Sequence, residues 1–403
     1  MGLFFANDLH DEFGTWPLAY IRYSGLDVGE ILAVAKRVGD GDDSAFHAAW
    51  MAMGDALAAE AEAALAKRRP ITAREFFLKA ACAYNSSYHP LFGEPVDPRL
   101  LTAFGKQIDT FNKGLALSDP PIEPLRIPFE GTSLPAYFIP ATGRANQVRP
   151  LLILTNGYDA TITDTYFASA VAAAQRGYHC LIFDGPGQGA ALYQQGLRLR
   201  PDWETVVSAV VDVAIDLPLI DPARIAIYGW SLGGHLAPRA ASGEHRLTAC
   251  VADPGGWGIA AGIRDFAIKL GASPDAVSNL AELDQQVLGR MEQVIVNTPK
   301  LRWSIIQRGY WVHGVSSLRD FLRAAEPFTM DGHAERITCP TLLTAAENDP
   351  LGAGAQAFFD ALRCPKTLIR FTAAQGAGEH CEMRNRSLLN SRVLDWLDEV
   401  LAA

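Results

Sequence analysis

The rhythm of apolar and polar positions changes near residue 122, and that change organises the chain. Before it, Ala45 to Arg69 is rich in Ala, Glu, Leu and Met, and Thr72 to Tyr84 repeats apolar residues at helical spacing. Both segments predict helices, and Thr72-Ala73-Arg74-Glu75 resembles a capping box opening the second. Arg68-Arg69-Pro70 joins them, so an antiparallel helical hairpin is expected. Residues 118–124, with three prolines and an aspartate, read as the clearest linker. Beyond it, short apolar runs predict strands at Leu125–Phe129, Leu134–Ile139, Leu151–Thr155, Cys180–Phe183, Ile225–Tyr228, Ala249–Ala252, Thr341–Ala345 and Thr367–Phe371. The first two, joined by residues 130–133, suggest an antiparallel hairpin. Helical patterns fall between the later ones, at Tyr166–Arg176, Trp203–Ile215, His235–Ala241, Gln356–Leu362 and Ser387–Leu401. That alternation is what a mostly parallel α/β sheet requires.

The stretch from Pro254 to Ile337 breaks this alternation and is far longer than an ordinary loop. It carries helical patterns and the aromatics Trp257, Phe266, Trp303, Tyr310, Trp311, Phe321 and Phe328. A small insertion packing its own core and a cap whose rings line a pocket are both compatible with it. The expected organisation is therefore a helical region over 1–122, an α/β core over 123–253 and 338–403, and a helical cap over 254–337.

Composition narrows the class. In 403 residues, 49% apolar and 20% charged content is that of a globular protein. A net charge of −10 without any Lys/Arg run disfavours nucleic acid and anionic membrane surfaces as partners. No apolar run approaches the roughly 18 residues of a membrane span. The first residues lack a basic segment followed by an apolar stretch, so no secretory signal is expected. The six cysteines are scattered without close pairs or metal-ligand spacing, which predicts reduced thiols, a cytoplasmic location and no metal.

The most specific chemistry lies at Gly229-Trp230-Ser231-Leu232-Gly233, where the run Ile225–Tyr228 stops in a Gly-x-Ser-x-Gly turn and a helical segment follows. In this strand–turn–helix setting the glycines let backbone pass close on both sides, and the hydroxyl of Ser231 stands above the sheet edge. A serine nucleophile needs a base, and the base needs an orienting acid. The chain order in folds with this elbow is Ser, acid, His. Of nine histidines only His380 follows the last strand, in a Gly-rich loop ahead of the final helix. Two acids compete: Asp349, just past strand Thr341–Ala345, and Asp253, at the end of strand Ala249–Ala252. Asp349 is preferred and Asp253 is the alternative. For the oxyanion, one N–H would come from Leu232 and another from the loop Asn156-Gly157-Tyr158-Asp159, with Gly157 permitting the turn and Tyr158 or Asp159 donating. Substrate-pocket candidates are Trp230, Asp159, Trp257, Tyr310, Trp311 and His313. The glycines of residues 184–189 lack a following Lys-Ser/Thr and the Gly-x-Gly-x-x-Gly spacing, which excludes nucleotide binding, and no cofactor is expected.

Taken together, residues 156–159, 184–189, 229–234 and 376–381 resemble one branch of the α/β-hydrolase superfamily. That branch includes 2,6-dihydroxypseudooxynicotine hydrolase and the fungal heptaketide-shortening hydrolases. The resemblance extends over most of the chain. It implies an α/β-hydrolase fold with a cap insertion, a triad of Ser231, Asp349 and His380, and cleavage of a carbon–carbon bond beside a ketone. It also leaves a homodimer open. The expected function is a serine hydrolase acting on a small aromatic or polyketide-like acyl compound. A carboxylesterase is the enzymatic alternative, and a non-catalytic ligand-binding relative is the alternative of another class.

Overall fold

The structure, a computed structural model, describes residues 2–402; Met1 and Ala403 lie outside the described residues. Among these, eight strands form one sheet: β1 (Pro124–Phe129), β2 (Thr132–Ile139), β3 (Arg149–Thr155), β4 (His179–Phe183), β5 (Ile220–Trp230), β6 (Ala249–Asp253), β7 (Thr341–Ala346) and β8 (Lys366–Phe371). Their spatial order is β1-β2-β4-β3-β5-β6-β7-β8. β2 is antiparallel to both β1 and β4, and every other pairing is parallel. The β1–β2 hairpin turns at Glu130-Gly131, whose φ angles of 42° and 82° are the mirror-image turn that matches strand twist.

The central strands β3, β4, β6 and β7 read as nearly unbroken apolar runs because both faces of the sheet are covered there. Leu152, Leu154, Ala226 and Tyr228 point to one face, against Tyr20, Trp50 and Tyr84 of the helical N-terminal region and Leu389 and Val393 of the C-terminal helix Arg386–Ala402. Leu151, Ile153, Ile225 and Ile227 point to the other, against Val206 and Val210 of helix Trp203–Ile215 and Leu236 and Ala240 of helix Gly233–Ala241. Residue i and residue i+1 thus serve different cores, as the two-residue strand period demands.

Two local expectations are corrected. Thr72-Ala73-Arg74-Glu75 caps nothing: helix Pro70–Ser86 starts two residues earlier, with Pro70 in its first turn, where a fixed φ and a missing N–H cost nothing. β5 begins at Ile220, five residues before its apolar run, because Ile220 pairs with Arg149 across a register shift. The polar positions Asp221 and Arg224 conceal that extension from any apolar count.

After β6 the chain builds helices Ile259–Lys269, Gln285–Asn297 and Leu318–Ala325 around a separate cluster that includes Leu280, Val287, Met291 and Leu322. Two indoles leave that cluster. Trp303 stacks on Phe92 and donates its N–H to the carbonyl of His89 at 2.8 Å, and Trp311 stacks on Tyr193 with ring centroids 5.4 Å apart. The insertion therefore rests on both the N-terminal region and the sheet-side core. Among the described residues no helix is long and apolar enough to cross a membrane.

Candidate active site

Glycine is required around Ser231 by crowding. A Cβ at Gly229 would lie 1.9 Å from the carbonyl oxygen of Gly233, and one at Gly234 would lie 2.2 Å from that of Pro254. Ser231 itself takes φ 58°, a left-handed conformation that is costly for a side-chain-bearing residue and is held by its surroundings. Its N–H donates to the carbonyl of Asp253 at 2.7 Å and also meets the thiol sulfur of Cys381 at 3.1 Å. The short elbow thus presents a partly exposed hydroxyl from a rigid base.

The structure brings the hydroxyl, one imidazole and one carboxylate into series. Ser231 Oγ lies 3.0 Å from His380 Nε2, and His380 Nδ1 lies 2.7 Å from Asp349 Oδ2. With Nδ1 carrying the proton toward the carboxylate, Nε2 is free to accept from the hydroxyl. The Asp349 carboxylate is fully buried, and its other oxygen accepts the N–H of Leu351 at 2.9 Å. Burial would lower the pKa of His380, but the hydrogen bond and charge of Asp349, helped by the charge of Asp253, raise it above the ordinary imidazole value.

Asp253 is placed differently. Its carboxylate accepts from Thr344 Oγ1 and Arg386 Nη1, each at 2.8 Å, and both the aspartate and the arginine side chain are wholly buried. Arg386 also donates to the carbonyl of Cys381 at 2.7 Å and to the hydroxyl of Tyr228 at 2.9 Å. Cys381 and Glu382 hold left-handed φ angles of 52° and 49°, so this ion pair braces the strained turn that carries His380. Burial, with the Asp253 charge beside it, pushes the carboxyl of Glu382 far above the carboxylate range and keeps it protonated. Nothing in the spacing of residues 253, 382 and 386 signalled this cluster.

Gly157 closes against Ser231: a Cβ there would come within 3.1 Å of Ser231 Oγ. Its loop is held from behind, because Gln188 donates to the carbonyls of Asn156 at 2.8 Å and Gly157 at 3.1 Å. Asn156 in turn donates to Asp184 at 2.9 Å. The glycine-rich loop of residues 184–189, unassigned beyond its position in the sequence, is thus a brace for the loop that faces Ser231. Leu232 immediately precedes helix Gly233–Ala241, at the positive end of its dipole.

The expected pocket residues divide. Tyr158, Asp159 and His313 meet at the seam between core and insertion: the Tyr158 and His313 rings are 5.8 Å apart, and Asp159 accepts from Arg308 Nη1 at 2.7 and 2.9 Å. Trp230 lies against Trp16 of the N-terminal region, with centroids 6.0 Å apart. Trp257 is engaged by Phe358 and donates to Asp331, Tyr310 packs on Phe321, and Trp311 packs on Tyr193. Arg308 was not anticipated at all, since its partner is 149 residues away and no local pattern marks it. His235 is buried beside Phe328, and burial pushes its pKa down to about 3.

Residues 152–386 match the family described as the alpha/beta hydrolase family. The chain is 32% identical to hydrolase acrC of Aspergillus aculeatus, with 98% of this chain and 97% of that protein covered. It is 31% identical to 20-hydroxy-prefusarin hydrolase FUS2 of Gibberella moniliformis, over 99% of this chain and 98% of that protein. Among solved structures, 2,6-dihydroxy-pseudo-oxynicotine hydrolase shares the fold with a TM-score of 0.74 at 21% identity, covering 96% of this chain and 95% of its own.

Proposed function

The chain belongs to the alpha/beta hydrolase family, and on that premise we propose that it is a serine hydrolase whose triad is Ser231, His380 and Asp349. The observation that carries this reading is the hydrogen-bonded series of hydroxyl, imidazole and buried carboxylate, at 3.0 and 2.7 Å. Its substrate is a small aromatic or polyketide-like acyl compound, and the bond cleaved joins a ketone carbon to an electron-rich carbon. The relatives acting on 20-hydroxy-prefusarin and 2,6-dihydroxy-pseudo-oxynicotine support that class by their names.

The steps follow from the site. Ser231 Oγ adds to the carbonyl carbon while His380 Nε2 takes its proton, and Asp349 stabilises the imidazolium formed. The oxyanion is received by the N–H of Leu232 and by an N–H of the Gly157–Tyr158 loop; removing one such donor costs roughly 10²–10³ in rate. The bond to the leaving group breaks, and its electron pair departs on carbon, which is feasible when a ring hydroxyl or enol spreads the charge. The imidazolium returns the proton to that carbon. Water, deprotonated by His380, then releases the acid from the acyl-enzyme and restores the hydroxyl.

An ester would use the same atoms with an alkoxide leaving group, so the test is comparative. Purified enzyme is offered p-nitrophenyl esters and a panel of acyl-phenols and β-diketones. Efficient turnover of the ketones supports carbon–carbon hydrolysis. Turnover of the esters alone makes the protein a carboxylesterase. No covalent labelling of Ser231 by a fluorophosphonate would instead mark a ligand-binding relative.

A further inference from the structure

A second place for a ligand lies where the N-terminal region, the linker and the end of β2 meet. A cavity of about 390 Å³ opens there, within the roughly 300–1,000 Å³ typical of small-molecule pockets. Helix Pro70–Ser86 contributes Arg74 to its wall, and the linker contributes Ser118 and Ile122. Ile139, the last residue of β2, and Tyr166 and Val171 of the helical segment after β3 complete it. None of the lining residues belongs to the series of Ser231, His380 and Asp349 or to the loop of residues 156–159.

Arg74 is the unusual member of that wall. Arg308 and Arg386 each answer a carboxylate, Asp159 and Asp253. Arg74 is half-buried, yet among the described residues it makes no ion pair. Its Nε donates to Ser118 Oγ at 3.0 Å and its Nη2 to Tyr166 Oη at 3.1 Å, and both acceptors are neutral hydroxyls. Among the described residues Nη1 donates to nothing. Tyr166 is only 3% exposed, and burial raises its phenol against the opposing charge of Arg74, so its proton stays on. Each hydroxyl gives a lone pair to the guanidinium, and neither donates its own proton to a protein acceptor among the described residues. One cation and two O–H groups thus meet at the cavity without an anion to receive them. Asp119 stands exposed on the rim and forms no ion pair with Arg74. A guanidinium that has lost part of its water calls for a counter-charge, and its planar fork matches a carboxylate.

We infer that this cavity is a binding site for a small monocarboxylate with an apolar body. Arg74 Nη1 and the hydroxyls of Tyr166 and Ser118 donate to the carboxylate. Ile122, Ile139 and Val171 pack against the ring or chain that carries it. Because the walls come from the N-terminal region and from the α/β core, an occupant ties the two together and stabilises the fold by mass action. This site goes beyond the hydrolase reading and does not depend on it.

The test is calorimetric titration of the full chain with 2-naphthoate and with 2-naphthamide, its uncharged counterpart. The carboxylate should bind at least about 10-fold tighter, since its hydrogen bonds are charge-assisted. Arg74→Gln should cut that gap to about 2-fold or less, and Arg74→Lys, which keeps the charge but loses the fork, should leave an intermediate gap. Saturating 2-naphthoate should raise the melting temperature of the unaltered protein and not that of Arg74→Gln. If Arg74→Gln does not fold, Tyr166→Phe and Ser118→Ala keep the guanidinium and should each narrow the gap by about 3-fold. Equal affinity for the two probes, no binding of either up to about 1 mM, or a gap unchanged by these substitutions overturns the site.

Discussion

Two neighbouring strands lead into aspartates, and the two carboxylates have different partners. Asp349, past β7, meets His380 Nδ1 at 2.7 Å. Asp253, at the end of β6, meets buried Arg386 at 2.8 Å. Both are buried, both precede proline, and both lie near the same histidine loop. What separates them is the partner that claims each carboxylate. In the proposed triad the imidazole makes the first an orienting group, whereas the guanidinium makes the second a clamp on the turn that carries His380. Burial and position alone therefore do not separate two candidate acids; the hydrogen-bond partner favours Asp349.

The comparison is broken most severely at Asp349. Asp349→Asn keeps the shape but favours the wrong imidazole tautomer, and kcat should fall by about 10⁴. A steady-state assay on the best ketone or ester substrate checks this, and a loss under about 10-fold would equate the two aspartates. At Asp253 the larger cost falls on folding. Asp253→Asn strands Arg386 without its counter-charge, and urea unfolding should report a loss of about 3–5 kcal/mol. The fall in kcat of the folded fraction should stay well below that of Asp349→Asn.

A smaller effect is expected where the insertion meets the core. Arg308→Met removes the charge that holds Asp159, with both side chains only 19% and 14% exposed. A loss of about 10-fold in kcat/KM, or about 1.4 kcal/mol, is predicted from loosening the Tyr158 loop. The smallest effect is on pH dependence. His380 must be neutral to act as base, and its raised pKa means that activity is lost, as pH falls, at a value above the ordinary imidazole figure of about 6.5. For stability the sign is opposite. The protonated ring's contribution is fully present below the unfolded pKa and is lost as pH rises through the higher folded one. Asp253→Asn removes one charge that raises His380, so the acid limb of kcat/KM should move to lower pH in that variant.

Much of this core was readable in the sequence because strands buried on two faces must be almost wholly apolar, and the central runs between residues 151 and 345 are, while the edge runs carry Arg126 and Arg370. The elbow at Ser231 was readable because close backbone approach demands glycine at fixed offsets. Chain order singled out His380 as the candidate base and left Asp349 and Asp253 both open as the acid, with Asp349 preferred. What escaped was every pairing made only by the fold: Arg386 with Asp253 across 133 residues, and Arg308 with Asp159 across 149. The aromatics of the insertion were visible as a group, but not their allegiance. Tyr310 packs on Phe321 within the insertion, while Trp303 and Trp311 reach the N-terminal region and the core, and one indole looks like another until packed.

The central claim is that His380 activates Ser231. Intact-mass and peptide analysis after fluorophosphonate treatment tests it directly, comparing the unaltered enzyme with His380→Ala. A single adduct on Ser231, formed at least about 10³-fold more slowly without the imidazole, is the predicted result. An adduct on another residue, or equal labelling rates in the two proteins, would contradict it.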